Sequence, residues 1–285
     1  MTTGMKGWRG TAALVVLVLL GGLAVALLQL RPAVTGVLDP RDTGPAGAHA
    51  LTPAGAVGPT GTIAGLRPPL AGKIVGIDPG HNGRNYTDPA YIDQQVWNGR
   101  EWENCDTTGT ETDGGYTEAL FNFLVAEYLR ADLIRDGARV VMTRDSNDGI
   151  GPCVNTRSYI INKGHADVAV DIHADGGPAS GRGFAVLEPV ADGPNDRVIA
   201  ASARLGADIR AAMLAYTAMP VSDYDGKNGI KHRDDLAGLN LTKVPKILIE
   251  VGNMRNATDA KMLTSAKFQQ QVAKALLAAI IRFLR

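Results

Sequence analysis

Four side chains in this sequence have the types and settings for hydrolytic chemistry. His81 follows the apolar run KIVGID (residues 73–78) through the tight turn Pro79-Gly80. His173 stands at the end of VAVDIHADGG (168–177), Glu250 near the end of KILIEVG (246–252), and Glu118 opens a helical pattern just after Asp113-Gly114-Gly115. Two histidines and a carboxylate from separate segments suit zinc with one open coordination position, a Lewis acid for attack on a carbonyl compound. Taken singly, three of the four have plainer explanations. A histidine after a strand is commonly a loop residue, and a glutamate in a first helical turn is favoured by the helix dipole. Glu250 is harder to dismiss, because a carboxylate inside an Ile/Leu/Val strand costs several kcal/mol in desolvation unless something pairs it. Asp78 and Asp171 read equally well as structural strand-end carboxylates or as partners that orient the histidines.

The elements that must position these groups follow from apolar periodicity. Strands are predicted over residues 73–78, 139–142, 168–173, 183–187 and 246–251. Helical spacing covers residues 116–135, with Gly137 as a natural stop, then 156–163, 196–214, 259–263 and 265–283. Strand and helix alternating at this spacing predict one α/β catalytic domain, residues 71–285, with a mostly parallel or mixed central sheet and helices on both faces. In such sheets sites gather at the carboxyl ends of strands, where His81, His173 and Glu250 all fall. None of the glycine clusters has the spacing of a nucleotide-binding loop.

On these residues the chain resembles the zinc-dependent N-acetylmuramoyl-L-alanine amidases that cleave bacterial peptidoglycan, particularly the compact mycobacterial members. The similarity runs from about Lys73 to the C-terminus and rests on ordered motifs: IDPGHNG around His81, the glutamate opening the long helix at Glu118, DIHAD around His173, and a late motif from Glu250 to Asn256. The resemblance implies one zinc per chain on His81, Glu118 and His173, with Glu250 as the catalytic acid–base. It implies hydrolysis of the amide joining the lactyl group of N-acetylmuramic acid to the L-Ala of the stem peptide, in cell-wall remodelling or turnover. Asn82 stands where the family often has a second glycine, Asp175 where it has an asparagine, and Asn253 where an aromatic residue is common. The polar stretch Lys231-His232-Arg233 precedes the last core strand, where the family lines its substrate groove; the basic pair Lys231 and Arg233 is expected to meet stem-peptide carboxylates. His232, flanked by charges, is a solvated residue by default, and a role in orienting a ligand or meeting substrate is the alternative for it as for Asn82 and Asp175. No long helical insertion of the kind that blocks regulated family members is visible in the 36 residues between His81 and Glu118, which read as an irregular or hairpin excursion, so no obligate protein partner is implied. Another zinc-dependent cell-wall hydrolase, such as a deacetylase or carboxypeptidase, and a catalytically inert cell-wall binding protein are the competing classes.

Composition agrees with an exported enzyme. The 285 residues are 45% apolar, enough for a sizeable core, and 29 Lys+Arg balance 29 Asp+Glu, which removes the basic footprint that nucleic acid demands. The first 70 residues hold 5 Lys/Arg and 2 Asp, leaving a mildly acidic remainder of 24 basic and 27 acidic residues. A basic segment (1–10) precedes twenty uncharged residues, 11–30, long enough to span a bilayer. That run exceeds an ordinary signal core, and Ala24-Val25-Ala26 lies inside it, so a retained anchor is favoured over a cleaved signal. Residues 31–70, rich in Pro, Gly and Ala, read as a tether. The expected location is outside the cytoplasmic membrane, facing the cell wall. Export permits Cys105 and Cys153, the only two cysteines, to pair, with free thiols as the alternative. Closing that 48-residue separation is worth about 4 kcal/mol on a chain-entropy model.

Overall fold

The computed structural model describes residues 67–285. The predicted membrane segment and nearly all of the tether lie outside the described residues; among those described, no helix is long and apolar enough to cross a membrane. Leu70, placed by sequence at the end of the tether, is instead fully buried, and its N–H donates to the carbonyl of Asp136, so the catalytic body begins before residue 71.

In chain order the elements are β1 (Ile74–Pro79), α1 (Pro89–Ile92), β2 (Gln95–Trp97), β3 (Trp102–Asn104), α2 (Glu118–Arg135), β4 (Arg139–Met142), α3 (Val154–Lys163), β5 (Val168–Asp175), β6 (Ala185–Pro189), α4 (Ile199–Tyr216), β7 (Ile230–Arg233), α5 (Ala237–Asn240), β8 (Lys246–Asn253), α6 (Ala257–Leu263) and α7 (Ala266–Leu284). Six strands form one sheet in the order β4-β1-β5-β8-β6-β7, while β2 and β3 form a separate hairpin. β4, β1, β5 and β8 run parallel; β6 pairs antiparallel with β8 and parallel with β7. The sheet is therefore mixed. β7 is a strand where sequence showed only the polar stretch IKHR, because it lies at the sheet edge, with a single strand neighbour and no second buried face to fill.

Period-two alternation sorts the central strands onto two unequal faces. Val75, Ile77, Val168, Val170, Ile172, Ile247, Ile249 and Val251 pack into the main core with Phe121, Leu129, Leu205, Ile209, Val272 and Leu276 of α2, α4 and α7. The opposite face is covered by two small clusters, built around Ile161 of α3 and Leu239 of α5. On that thinly covered face the alternation places Asp78, Asp171, His173, Lys246 and Glu250. Asp78 is in register with Asp171, and His173 with Glu250, so three adjacent strands carry polar groups side by side at their carboxyl ends.

Candidate active site

His81 arrives on a tightly held turn. The N–H of Gly80 donates to the Ile172 carbonyl, and His81 itself takes the left-handed conformation (φ 58°). Two buried arginines grip the backbone of the turn: Arg144 donates to the carbonyls of Pro79 and Gly80, and Arg157 to those of Pro79 and His81. A Cβ on Gly80 would sit 2.1 Å from Cε1 of His173, so the glycine is what lets the two histidines approach. Their rings meet edge to face at 4.9 Å.

Glu118 occupies the first turn of α2, whose N-cap Thr117 accepts from the Leu120 N–H. Its Oε1 lies 2.8 Å from Nδ1 of His173 and 3.3 Å from Nε2 of His81, and its Oε2 accepts from the N–H of Thr110 at 2.9 Å. One donor atom from each of His81, Glu118 and His173 lies within 4.8 Å of the others. This set of two imidazoles and a carboxylate fits zinc by chemistry and by convergence. Burial opposes charge on all three groups. Against it, the carboxylates raise the proton affinity of His81 to about 9 and lift His173 well above its ordinary value, while the histidines hold Glu118 well below the usual carboxylate range. A field that binds protons this firmly also favours a divalent cation in their place.

The outer nitrogen of each ring meets a second carboxylate. His81 Nδ1 donates to Asp106 Oδ1 at 3.0 Å, and His173 Nε2 faces Asp171 Oδ1 at 3.3 Å, an ion-pair distance without hydrogen-bond alignment. Buried ion pairs then join the two carboxylates. Arg157 contacts both Asp106 (3.1 Å) and Asp78 (3.2 Å), and Lys246 contacts both Asp78 (2.6 Å) and Asp171 (3.0 Å). The path from one histidine to the other thus runs Asp106, Arg157, Asp78, Lys246, Asp171. Asp78 does not touch a histidine; it is the hub of this chain of charges. Sequence reasoning missed Asp106, Arg144, Arg157 and Lys246, since an aspartate in a loop and single cations in or beside regular elements carry no periodic signal.

Glu250 sits beside this cluster without belonging to it. Its Oε2 is buried and has no hydrogen-bond partner, the orphan that its position in an apolar strand foretold. Burial and the neighbouring carboxylates of Glu118 and Asp175 push its pKa up to about 8, with the two histidines opposing. Asp175 ends β5 and accepts from the Gly176 N–H at 2.7 Å.

The remaining sequence candidates make contacts of their own. Asn82 is a buried tie: its amide donates to the Gly151 carbonyl and accepts from the N–H groups of Gly83 and Gly149. Lys231 pairs with Asp225 at 2.5 Å, and Arg233 pairs with Asp235 through two bonds of 2.6 and 2.7 Å, so both cations already have carboxylate partners. His232 is exposed and stands 3.5 Å from Glu188. Gly177 makes room for the Tyr224 ring, which a Cβ there would meet at 2.3 Å. Cys105 and Cys153 are joined in a disulfide, which ties the loop carrying Asp106 to the start of α3 carrying Arg157.

Residues 75–282 match the model of a protein family described as N-acetylmuramoyl-L-alanine amidase. The chain is 40% identical over 222 residues to the N-acetylmuramoyl-L-alanine amidase Rv3717 of Mycobacterium tuberculosis, covering 75% of this chain and 88% of that protein. Among solved structures it is similar to the N-acetylmuramyl-L-alanine amidase Ami1 of Mycobacterium smegmatis, with 39% identity and a TM-score of 0.71 over 75% of this chain and 98% of the other. The apo form of Ami1 from Mycobacterium abscessus gives 40% identity and a TM-score of 0.71, over 76% and 100% of the two chains.

Proposed function

The chain belongs to the N-acetylmuramoyl-L-alanine amidase family and hydrolyses the amide between N-acetylmuramic acid and L-alanine in peptidoglycan; from that premise we propose that His81, Glu118 and His173 hold one zinc ion and that Glu250 is the acid–base residue. The observation that carries the proposal is the convergence of three metal-type donor atoms within 4.8 Å beside a buried carboxylate oxygen that nothing else satisfies. Zinc bound there would supply a Lewis acid that polarises the scissile carbonyl and makes a neighbouring water more acidic.

The side chains divide the rest of the work. Glu250 Oε2 takes a proton from the attacking water as its oxygen joins the carbonyl carbon, then returns that proton to the departing nitrogen as the C–N bond breaks. The products are a free lactyl carboxylate on the sugar and a stem peptide with an L-Ala amino terminus. Asp106 orients the His81 ring by its hydrogen bond, so that Nε2 stays turned toward Glu118, and the charge of Asp171 faces the outer nitrogen of His173. The charges of Glu118 and Asp175 raise the proton affinity of Glu250, which favours its proton-bound form before the nitrogen leaves.

Peptidoglycan lies outside the cytoplasmic membrane, and the Cys105–Cys153 disulfide suits that oxidising side. Residues 11–30 act as export signal and retained anchor, and the segment after them as a tether that lets the catalytic body reach the wall. Between His81 and Glu118 the chain forms α1 and the β2–β3 hairpin, a segment held to the body by the disulfide, which supports activity without an unblocking partner. The deciding experiment is mass spectrometry of muropeptides digested by the protein with and without zinc. Zinc-dependent release of stem peptide with a free L-Ala amine is the expected result; release of acetate or of a terminal amino acid would assign the site to a deacetylase or a carboxypeptidase.

A further inference from the structure

The β2–β3 hairpin is built inside out. Its register pairs Gln95 with Asn104, Val96 with Glu103, and Trp97 with Trp102. A hairpin lying on a domain ordinarily turns its apolar side chains inward and its charges outward. Here Glu103 is on the inward side, half-buried, with Oε1 enclosed and unpartnered, while Trp97 and Trp102 are 44% and 65% exposed. The outward face therefore consists of two indoles, 5.7 Å apart edge to face, and two amides joined by a 2.5 Å hydrogen bond from Gln95 to Asn104. It carries no formal charge of its own. A cross-strand Trp pair adds some stability to a hairpin, yet the same rings turned inward would do so and bury more area.

The hairpin is tied to the catalytic body at both ends. Asn98 caps the hairpin turn by accepting from the N–H groups of Arg100 and Glu101, and Arg100 pairs with Asp234 at 2.8 Å. Cys105, directly after β3, is bonded to Cys153, and Asp106 follows with its carboxylate on His81. Glu103 and Asn104 line a cavity of about 220 Å³ together with His81 and His173. The outward face thus reaches, through Asn104, a cavity that borders both histidines.

We propose that the Trp97/Trp102/Gln95/Asn104 face binds the amino-sugar strand of peptidoglycan beside the unit being cleaved, so that the enzyme favours polymer over soluble fragments. The proposal rests on the amidase reading and adds the substrate form. A pyranose ring presents C–H groups on its faces and hydroxyl and acetamido groups around its edge. Flat, preorganised indoles cover the first at low entropic cost, and neighbouring amides serve the second. Stem peptides, which carry carboxylates and amines, would find beside this face only the Asp93 carboxylate, already accepting from Asn104 Nδ2 at 3.3 Å.

The test uses the full-length protein with chelator present, titrated with N-acetylglucosamine tetramer, a glycan lacking any peptide, and followed by tryptophan fluorescence or calorimetry. Wild type is expected to bind saturably, and Trp97→Ala and Trp102→Ala each to weaken binding about tenfold. Trp102→Leu keeps an apolar cross-strand partner for Trp97 while removing the flat ring, and should weaken binding as Trp102→Ala does, so hairpin collapse is not the cause. In hydrolysis, the ratio of kcat/KM on polymeric peptidoglycan to that on N-acetylmuramoyl dipeptide should fall about tenfold, through KM. Binding that is equal in wild type and the Trp variants, or a hydrolysis ratio that does not move, overturns the proposal. Glycan binding without amide cleavage would overturn the amidase reading and leave the platform standing.

Discussion

Glu118 and Glu250 are chemically the same residue, and their surroundings assign them different work. Glu118 is shared between two imidazoles, whereas Glu250 is half-buried, its Oε2 enclosed and without a hydrogen-bond partner. Glu250→Gln keeps the size and loses the proton acceptor, so zinc content should stay near one per chain while turnover falls roughly 10²- to 10⁴-fold. Glu118→Gln should lower zinc affinity, and excess zinc should restore part of its activity. Metal analysis paired with stem-peptide release across a zinc titration reads both, and the opposite pattern would exchange the roles. A second prediction concerns Asp106, whose Oδ1 accepts from the outer nitrogen of His81. Asp106→Asn should weaken zinc binding about 10- to 100-fold in a chelator competition, the usual worth of a group that orients a metal-binding histidine. Unaltered zinc affinity would show that the Arg144 and Arg157 grip on the turn orients the ring unaided.

Elements decide how closely such groups can approach. β1 runs directly into Gly80, and a methyl group there would fall 2.1 Å from the His173 ring. Gly80→Ala should therefore displace His173 or the turn, lowering zinc affinity more than it lowers the melting temperature of the chelated protein; equal losses would mean that the glycine serves only the fold. The strands that deliver His81, His173 and Glu250 were legible because buried parallel strands write themselves as short Ile/Val/Leu runs, and the polar residues interrupting those runs are the site. β7 was not legible, since an edge strand reading IKHR has no such run. The β2–β3 hairpin was foreseen only as one of two options. Its Asn98-Gly99 turn, with Gly99 at φ 104°, was the available signal, but three-residue strands with exposed Trp give no periodicity to confirm it. Contacts that connect distant segments, such as Asp106 to Arg157 and Asp78 to Lys246, are invisible to any local pattern.

At the scale of the whole molecule, the chain of charges behind the histidines also fastens the fold. Asp78 on β1 meets Lys246 on β8 and Arg157 on α3, and all three are almost fully buried. Although burial opposes its charge, Lys246 and Arg157 hold the Asp78 carboxyl well below the usual carboxylate range, and hydrogen bonding from His81 with the charge of Arg157 holds Asp106 at about 2. A depressed pKa in the folded state means the unfolded chain takes up protons first. The stabilisation is therefore complete above the ordinary aspartate value of about 4 and is lost as pH falls toward the folded values. With chelator present, proton uptake by His81, His173 and Glu250, whose folded proton affinities are raised, should lift the melting temperature as pH falls from about 8 toward 5, and the aspartates should then make it drop steeply between about 4 and 2. Asp78→Asn leaves Lys246 and Arg157 short of a buried counter-charge and should cost about 3 to 5 kcal/mol at neutral pH, as breaking one side of a buried pair does. Its acid limb should be shallower than that of the wild type, because one of the titrating groups is gone. Melting curves collected every half unit from pH 2 to 8 for both proteins make the comparison. An Asp78→Asn curve running parallel to the wild type through the whole acid limb would place the acid sensitivity elsewhere in the chain.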